Sequence, residues 1–183
     1  MLLKQKKTYE DYKNLPEGTL AQLIDGEIIM SPAPNTLHQK IILKISTLIF
    51  KQLEEELKLG YVFISPIDVY FNKTEVYQPD IIFISKENAS IIKEQMIEGA
   101  PDLVIEVLSP NNAYYDLKYK KNKYAEFGVK EYWIVDPIEK SIEVYINQNK
   151  EFILKNKAVL NFQTEISSVL FNKFKIDLKY IFT

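Results

Sequence analysis

Two short apolar runs in "LAQLIDGEIIMSP" flank Asp25-Gly26, and that dipeptide between apolar runs predicts a two-residue β-hairpin. In "NTLHQKIILKISTLIFKQLEEEL" the apolar residues recur at intervals of three and four behind a cap at Asn35 or Thr36. This spacing predicts an amphipathic helix over about 36–58 that covers one face of a sheet. The runs "YVFISPIDVYF", "DIIFIS" and "DLVIEVL" read as strands, with a short helix in "KENASIIKEQMIEGA" between the last two. A helix over about 113–127 stops at Gly128 and leads into the strand "EYWIVDP". Strand, helix and strand across 102–136 have the length of a right-handed crossover between parallel strands. "SIEVYINQNKEFIL" and "FKIDLKYIF" read as a hairpin and a terminal element. The expectation is one mixed sheet with flanking helices, an α/β or α+β domain. No linker or repeat divides the 183 residues, so a single domain, 1–183, is expected.

One strand breaks its own pattern. Alternation puts Asp102, Val104, Glu106 and Leu108 on one face of "PDLVIEVL" and Leu103, Ile105 and Val107 on the other. Both faces are otherwise apolar, so Glu106 is a carboxylate in a central strand. Such a group takes up a proton, finds a cationic partner or binds a metal ion. A metal ligand and an ion pair with a lysine are both open on burial alone. Asp102 lies four residues along the same strand, about 13 Å away, too far to share one ion. Asp80 opens "DIIFIS", and if that strand runs antiparallel to 102–108, Asp80 meets Glu106 while Asp102 meets the Ser85 end. Asp102 then reads as a strand-entry or hydrogen-bonding residue.

Composition narrows the chemistry. There is no cysteine, so disulfides and thiolate metal sites are excluded, and two convergent carboxylates select a hard ion, Mg²⁺ or Mn²⁺. No segment approaches the ~18 continuous apolar residues of a membrane span, and no signal-peptide core stands at the N-terminus, which predicts a cytoplasmic protein. The net charge is −2, so any phosphate-binding surface must be local. All 23 basic residues are lysine, which argues against strong base-specific readout, the usual work of arginine.

On helix 113–127, residues Ala113, Leu117, Tyr124 and Phe127 form an apolar stripe, and Lys120 falls about 25° from its centre. Lys121 sits at the stripe's edge; Lys118 and Lys123 point elsewhere. A lysine inside a buried stripe needs an acidic or phosphate partner, or must snorkel outward. Asp116, Lys120 and Tyr124 stand four apart, a spacing that also suits a simple helical salt bridge between the first two.

Taken in order, "YEDYKNLPEGTLAQLIDGEIIMSPAP", "QPDIIFIS", "GAPDLVIEVLSP" and "DLKYKKNKYAEFGVKEYWIVDP" resemble the bacterial putative restriction endonuclease family abundant in cyanobacteria, a branch of the PD-(D/E)XK nucleases. The resemblance implies a restriction endonuclease-like fold with N-terminal and C-terminal β-hairpin additions, and Mg²⁺-dependent hydrolysis of DNA by an endonuclease. It implies Asp80 and Glu106 as metal ligands, joined by the backbone carbonyl of Val107. The usual motif lysine is replaced by Leu108, and the resemblance implies that Lys120 takes its place. Asp116, Tyr124, Asp102 and His38 are supporting candidates. His38 matches a recurring histidine, although on its own it reads as a surface or helix-capping residue. Relatives often carry glutamate where this chain has Gln22, and that departure keeps a second reading open, a weak or inactive nuclease-derived DNA-binding module. A homodimer is expected only by analogy. A third reading makes Glu106 and Lys120 a purely structural buried ion pair.

Overall fold

The computed structural model describes residues 5–16, 18–109 and 115–183, without the side chains of 115–117. A single-turn helix α1 (Tyr9–Lys13) precedes β1 (Ala21–Ile24) and β2 (Glu27–Met30). Between these strands Asp25 and Gly26 both take positive φ, 50° and 74°, the two-residue turn predicted for this dipeptide. Helix α2 (Thr36–Ile49) starts at Asn35, whose Oδ1 accepts from His38 N at 2.8 Å. The helix was expected to run to about 58. Instead the chain widens to i→i+5 hydrogen bonding over Phe50–Glu56, with Leu57 N donating to Gln52 O at 3.1 Å. In this segment Leu53 stays buried and Glu54 accepts from Val62 N at 2.8 Å, tying the helix end to the next strand.

"YVFISPIDVYF" forms two strands rather than one: β3 (Gly60–Ile64) and β4 (Val69–Asn72). Pro66 lacks an N–H and fixes φ, so the ladder ends there and the chain crosses to another sheet. Next come β5 (Glu75–Tyr77), β6 (Ile81–Ser85), a 3₁₀ turn at Lys86–Ile91, β7 (Ile97–Glu98) and β8 (Leu103–Val107). Helix α3 (Tyr115–Phe127) crosses to β9 (Glu131–Asp136), which pairs with β8 in parallel as expected. The chain closes with β10 (Ser141–Gln148), β11 (Glu151–Val159), β12 (Glu165–Ser167), β13 (Lys175–Asp177) and α4 (Leu178–Phe182).

The six-stranded sheet has the order β11-β10-β9-β8-β6-β3, so the β10–β11 hairpin is not an appendage but extends it. The N-terminal hairpin likewise belongs to a second, five-stranded sheet, β2-β1-β5-β4-β7. One face of the larger sheet, with Phe83, Ile105 and Trp133, packs against Ile41, Ile45 and Ile49 of α2 and Ile181 of α4. Each such aliphatic side chain, fully buried, contributes roughly 1.5–3 kcal/mol. The opposite face, with Ile82, Val104 and Tyr132, holds α3, and the second sheet closes over that helix through Val69 and Tyr77. Tyr124 on α3 lies 5.5 Å, ring to ring, from both Tyr77 and Tyr132, and Phe127 stacks on Phe71 at 4.5 Å. These contacts fix the helix between the two sheets.

Buried acids anchor the far end of the larger sheet. Asp102 accepts from Ser85 N at 2.7 Å and pairs with Lys130 Nζ at 2.5 Å. Glu131, fully buried and not anticipated from the sequence, accepts from Trp133 Nε1 at 2.6 Å and from the amides of Val169 and Leu170 at 2.9 and 2.6 Å. Burial opposes the charge on Asp102, but Lys130 and the Ser85 amide outweigh it and hold its carboxyl below the ordinary range. A folded pKa below the unfolded one stabilises the fold above about pH 4, and the gain is lost as the pH falls through the folded value. Asp102→Asn is therefore expected to cost about 1–3 kcal/mol at neutral pH in urea unfolding, and the wild type's advantage to vanish in acid. Equal unfolding midpoints at neutral pH would contradict this.

Candidate active site

The register of β6 on β8 pairs Ile81 with Ile105, Ile82 with Val104 and Phe83 with Leu103. One step further, Asp80 stands opposite Glu106, on the face that carries α3. Directly opposed residues have Cβ atoms about 4.5–5.5 Å apart, within reach of one small ion. The antiparallel pairing inferred from the sequence is thus the one present. Asp80 is held in place from both sides of its peptide: its Oδ2 accepts from Val107 N at 2.8 Å, and its carbonyl accepts from Ser65 N at 3.0 Å.

Helix α3 brings two groups to the same carboxylate. The Tyr124 hydroxyl donates to Glu106 Oε1 at 2.8 Å, and Lys120 Nζ lies 3.7 Å from that oxygen, an ion-pair distance. Glu106 and Lys120 are each only 7% exposed. Lys120 is therefore buried as its place in the stripe predicted, with a carboxylate for a partner. Burial pushes the Glu106 carboxyl up; Lys120 opposes the rise and Asp80 adds to it. The net direction is upward.

The imidazole of His38 is also in this site. Because side chains at a helix N-terminus lean back past the first turn, α2 can cover one face of the sheet and still send His38 over the strand ends. Its Nε2 lies 3.2 Å from Asp80 Oδ2 and 3.0 Å from the Val107 carbonyl, two acceptors, so Nε2 carries the hydrogen. Burial pulls the imidazole pKa down, but Asp80 and the Val107 carbonyl more than offset this and leave it raised. The surface reading of His38 is corrected; only its main-chain N–H serves the cap. The signal in the sequence was its match to the recurring histidine of the family the chain resembles; its place three residues after Asn35 suggested only the cap.

His38, Asp80, Glu106 and Lys120 line an open cleft of about 460 Å³ whose apolar wall includes Met30, Pro34 and Leu108. Gln22 also faces it, with Oε1 accepting from Gln78 N and Nε2 donating to Ser31 Oγ, both at 3.2 Å. Asp102 is not part of the cleft: it sits at the opposite end of β8, against Ser85 and Lys130. The side chain of Asp116 lies outside the described residues. Among the described residues no three Asp, Glu or His side chains converge as a metal cage. What the cleft offers an ion is two carboxylates with one oxygen each, Asp80 Oδ1 and Glu106 Oε2, that enter no hydrogen bond among the described residues. The Val107 carbonyl accepts from His38 and keeps a second lone pair. A donor set of few carboxylates plus water suits Mg²⁺, and an ion there would offset the burial and the Asp80 charge that together raise Glu106, so the residues fit a hard divalent cation.

A mixed sheet with α3 crossing between parallel strands, and acids at the open end of β6 and β8, defines a restriction endonuclease-like fold. A solved structure described as "a putative nuclease belonging to DUF820", from Anabaena variabilis, shares it: the TM-score is 0.77 at 21% identity, over 96% of this chain and 97% of that one. The family described as "Putative restriction endonuclease" matches residues 9–179, and the chain belongs to that family. A Synechocystis relative, "Uncharacterized protein sll1609", is 28% identical over 127 residues, 68% of this chain and 71% of its own.

Removing the lysine would leave Glu106 as an uncompensated buried carboxylate. Its folded pKa would rise further above the unfolded value, so stability would be lost as the pH rises between the two. Lys120→Met is expected to cost about 3–5 kcal/mol at mildly alkaline pH and less as the pH falls and the raised Glu106 carboxyl takes up its proton more readily. Urea melts at mildly alkaline and mildly acidic pH would refute this by showing the same loss at both.

Proposed function

We propose that the protein is a Mg²⁺-dependent endodeoxyribonuclease that hydrolyses DNA phosphodiester bonds. The observation that carries this reading is the convergence of Asp80, Glu106 and buried Lys120 in one open cleft of a chain from a restriction endonuclease family. Asp80 and Glu106 would hold the ion, with the Val107 carbonyl as a further oxygen. When bound, Mg²⁺ or Mn²⁺ supplies Lewis-acid polarisation of the scissile phosphate and lowers the pKa of an attacking water.

The remaining steps belong to the chain's own groups. Lys120 orients the water or neutralises charge developing on the phosphoryl oxygens, and its burial makes that charge count for more than it would in solvent. Tyr124, by donating to Oε1 of Glu106, leaves Oε2 without a hydrogen-bond partner among the described residues. His38 does the same for Asp80, engaging Oδ2 and leaving Oδ1. Gln22 presents an amide whose two ends are already bonded, so it adds no charge to the ion's surroundings.

Plasmid DNA with Mg²⁺ or Mn²⁺ is expected to be nicked by the wild type and not in EDTA. Glu106→Gln should abolish nicking, and Lys120→Ala should slow it by ~10²–10³. Salt-sensitive DNA binding without cleavage at any metal concentration would replace this reading with that of a DNA-binding module.

A further inference from the structure

A second groove, of about 570 Å³, lies between α3 and the surface of β9, β10 and β11, and it adjoins the catalytic cleft at Leu108, which lines both. Lys118 and Lys121, neighbours on one side of α3, enter this groove opposite Glu143, Tyr145 and Lys157. Lys120 and Lys121 are consecutive, so their side chains diverge by about 100°, one into each cavity.

The charges in the groove are unequally engaged. Glu143 accepts from the Tyr145 hydroxyl and from Lys157 Nζ at 2.7 Å, partners that hold its carboxyl down against burial. Asp136 accepts from Ile138 N and Glu139 N at 2.8 and 3.0 Å and so caps its own turn. Lys121 has no carboxylate within ion-pair distance among the described residues. Its ammonium lies 3.3 Å from the Tyr145 ring centroid, half-buried, and burial pushes its pKa down. Lys118 is exposed and likewise makes no ion pair among the described residues.

We propose that Lys118 and Lys121 form a subsite for a backbone phosphate of the nucleic-acid strand, adjacent along that strand to the phosphate at the catalytic cleft. A half-desolvated ammonium seated on a ring face, with Glu143 acting on it only from beyond ion-pair distance, gains more from an incoming anion than a solvated or carboxylate-paired lysine does. Two of the three acids of the groove, Asp136 and Glu143, are engaged by other donors, the third, Glu139, is exposed, and Leu108 is shared by the two cavities. The subsite explains how a chain of net charge −2 can hold nucleic acid locally, and it rests on the nuclease reading above.

The test is fluorescence anisotropy of a fluorescein-labelled DNA duplex in EDTA, where no cleavage occurs, across a KCl series. Lys121→Gln and Lys118→Gln should each weaken binding and reduce the slope of log Kd against log [KCl] by about 0.9, one released counterion apiece. Lys121→Arg should keep the slope, as should Lys93→Gln, which lies in a different pocket. Lys118 is exposed, so its variant keeps the test decisive should Lys121→Gln not fold. Wild-type slopes in both glutamine variants overturn the subsite and leave the nuclease reading intact. No salt-sensitive binding by the wild type overturns both.

Discussion

Two carboxylates held side by side at the open end of an antiparallel strand pair set the terms for everything around them. Asp80 and Glu106 face each other because β6 and β8 pair in a register that the apolar residues behind them enforce: a slip of β8 by one residue would turn Val104 and Glu106 to the wrong face. Burial, and after it the charge of Asp80, raise Glu106, and the surrounding groups read as answers to that strain. Lys120 supplies a charge, Tyr124 a hydroxyl donor, His38 an imidazole N–H, and the Val107 amide a fourth contact. They come from α3, α2 and β8, so the site can exist only when the sheet, α2 and α3 are assembled.

The second sheet has a defined part in this assembly. By closing over α3 with Tyr77 and Phe71, it holds the helix against the main sheet and fixes the rotation that turns Lys120 toward Glu106. A lysine on this helix with a free choice of direction would snorkel to solvent. Aromatic contacts at Tyr124, one turn further on, remove that choice.

Much of this was legible in the sequence because it depends on short-range periodicity. The turn at Asp25-Gly26, the parallel crossover, the Asp80–Glu106 pairing and the burial of Lys120 follow from spacing along single elements plus one assumption about strand direction. Other features depend on distant parts of the chain. Pro66 lies inside a run that reads as one strand, and nothing local announced that the chain there leaves one sheet for another. His38 looked like a capping residue because its partners, Asp80 and Val107, are 42 and 69 positions away in sequence and meet it only when α2 is docked. Glu131 carried the same anomaly as Glu106, an acid at an otherwise apolar strand, and it serves a structural end by binding the amides of Val169 and Leu170. A buried acid in a strand therefore marks a special site without saying which kind; the free oxygens and the cleft beside Glu106 make the difference.

The account stands or falls on whether the facing pair holds an ion. Isothermal titration calorimetry of Mn²⁺ into the wild type and Asp80→Ala addresses this without any assumption about substrate. The account predicts saturable binding of Mn²⁺ by the wild type and its loss in Asp80→Ala, with both proteins folded by circular dichroism. No binding by the wild type, or binding unchanged in Asp80→Ala, would contradict it.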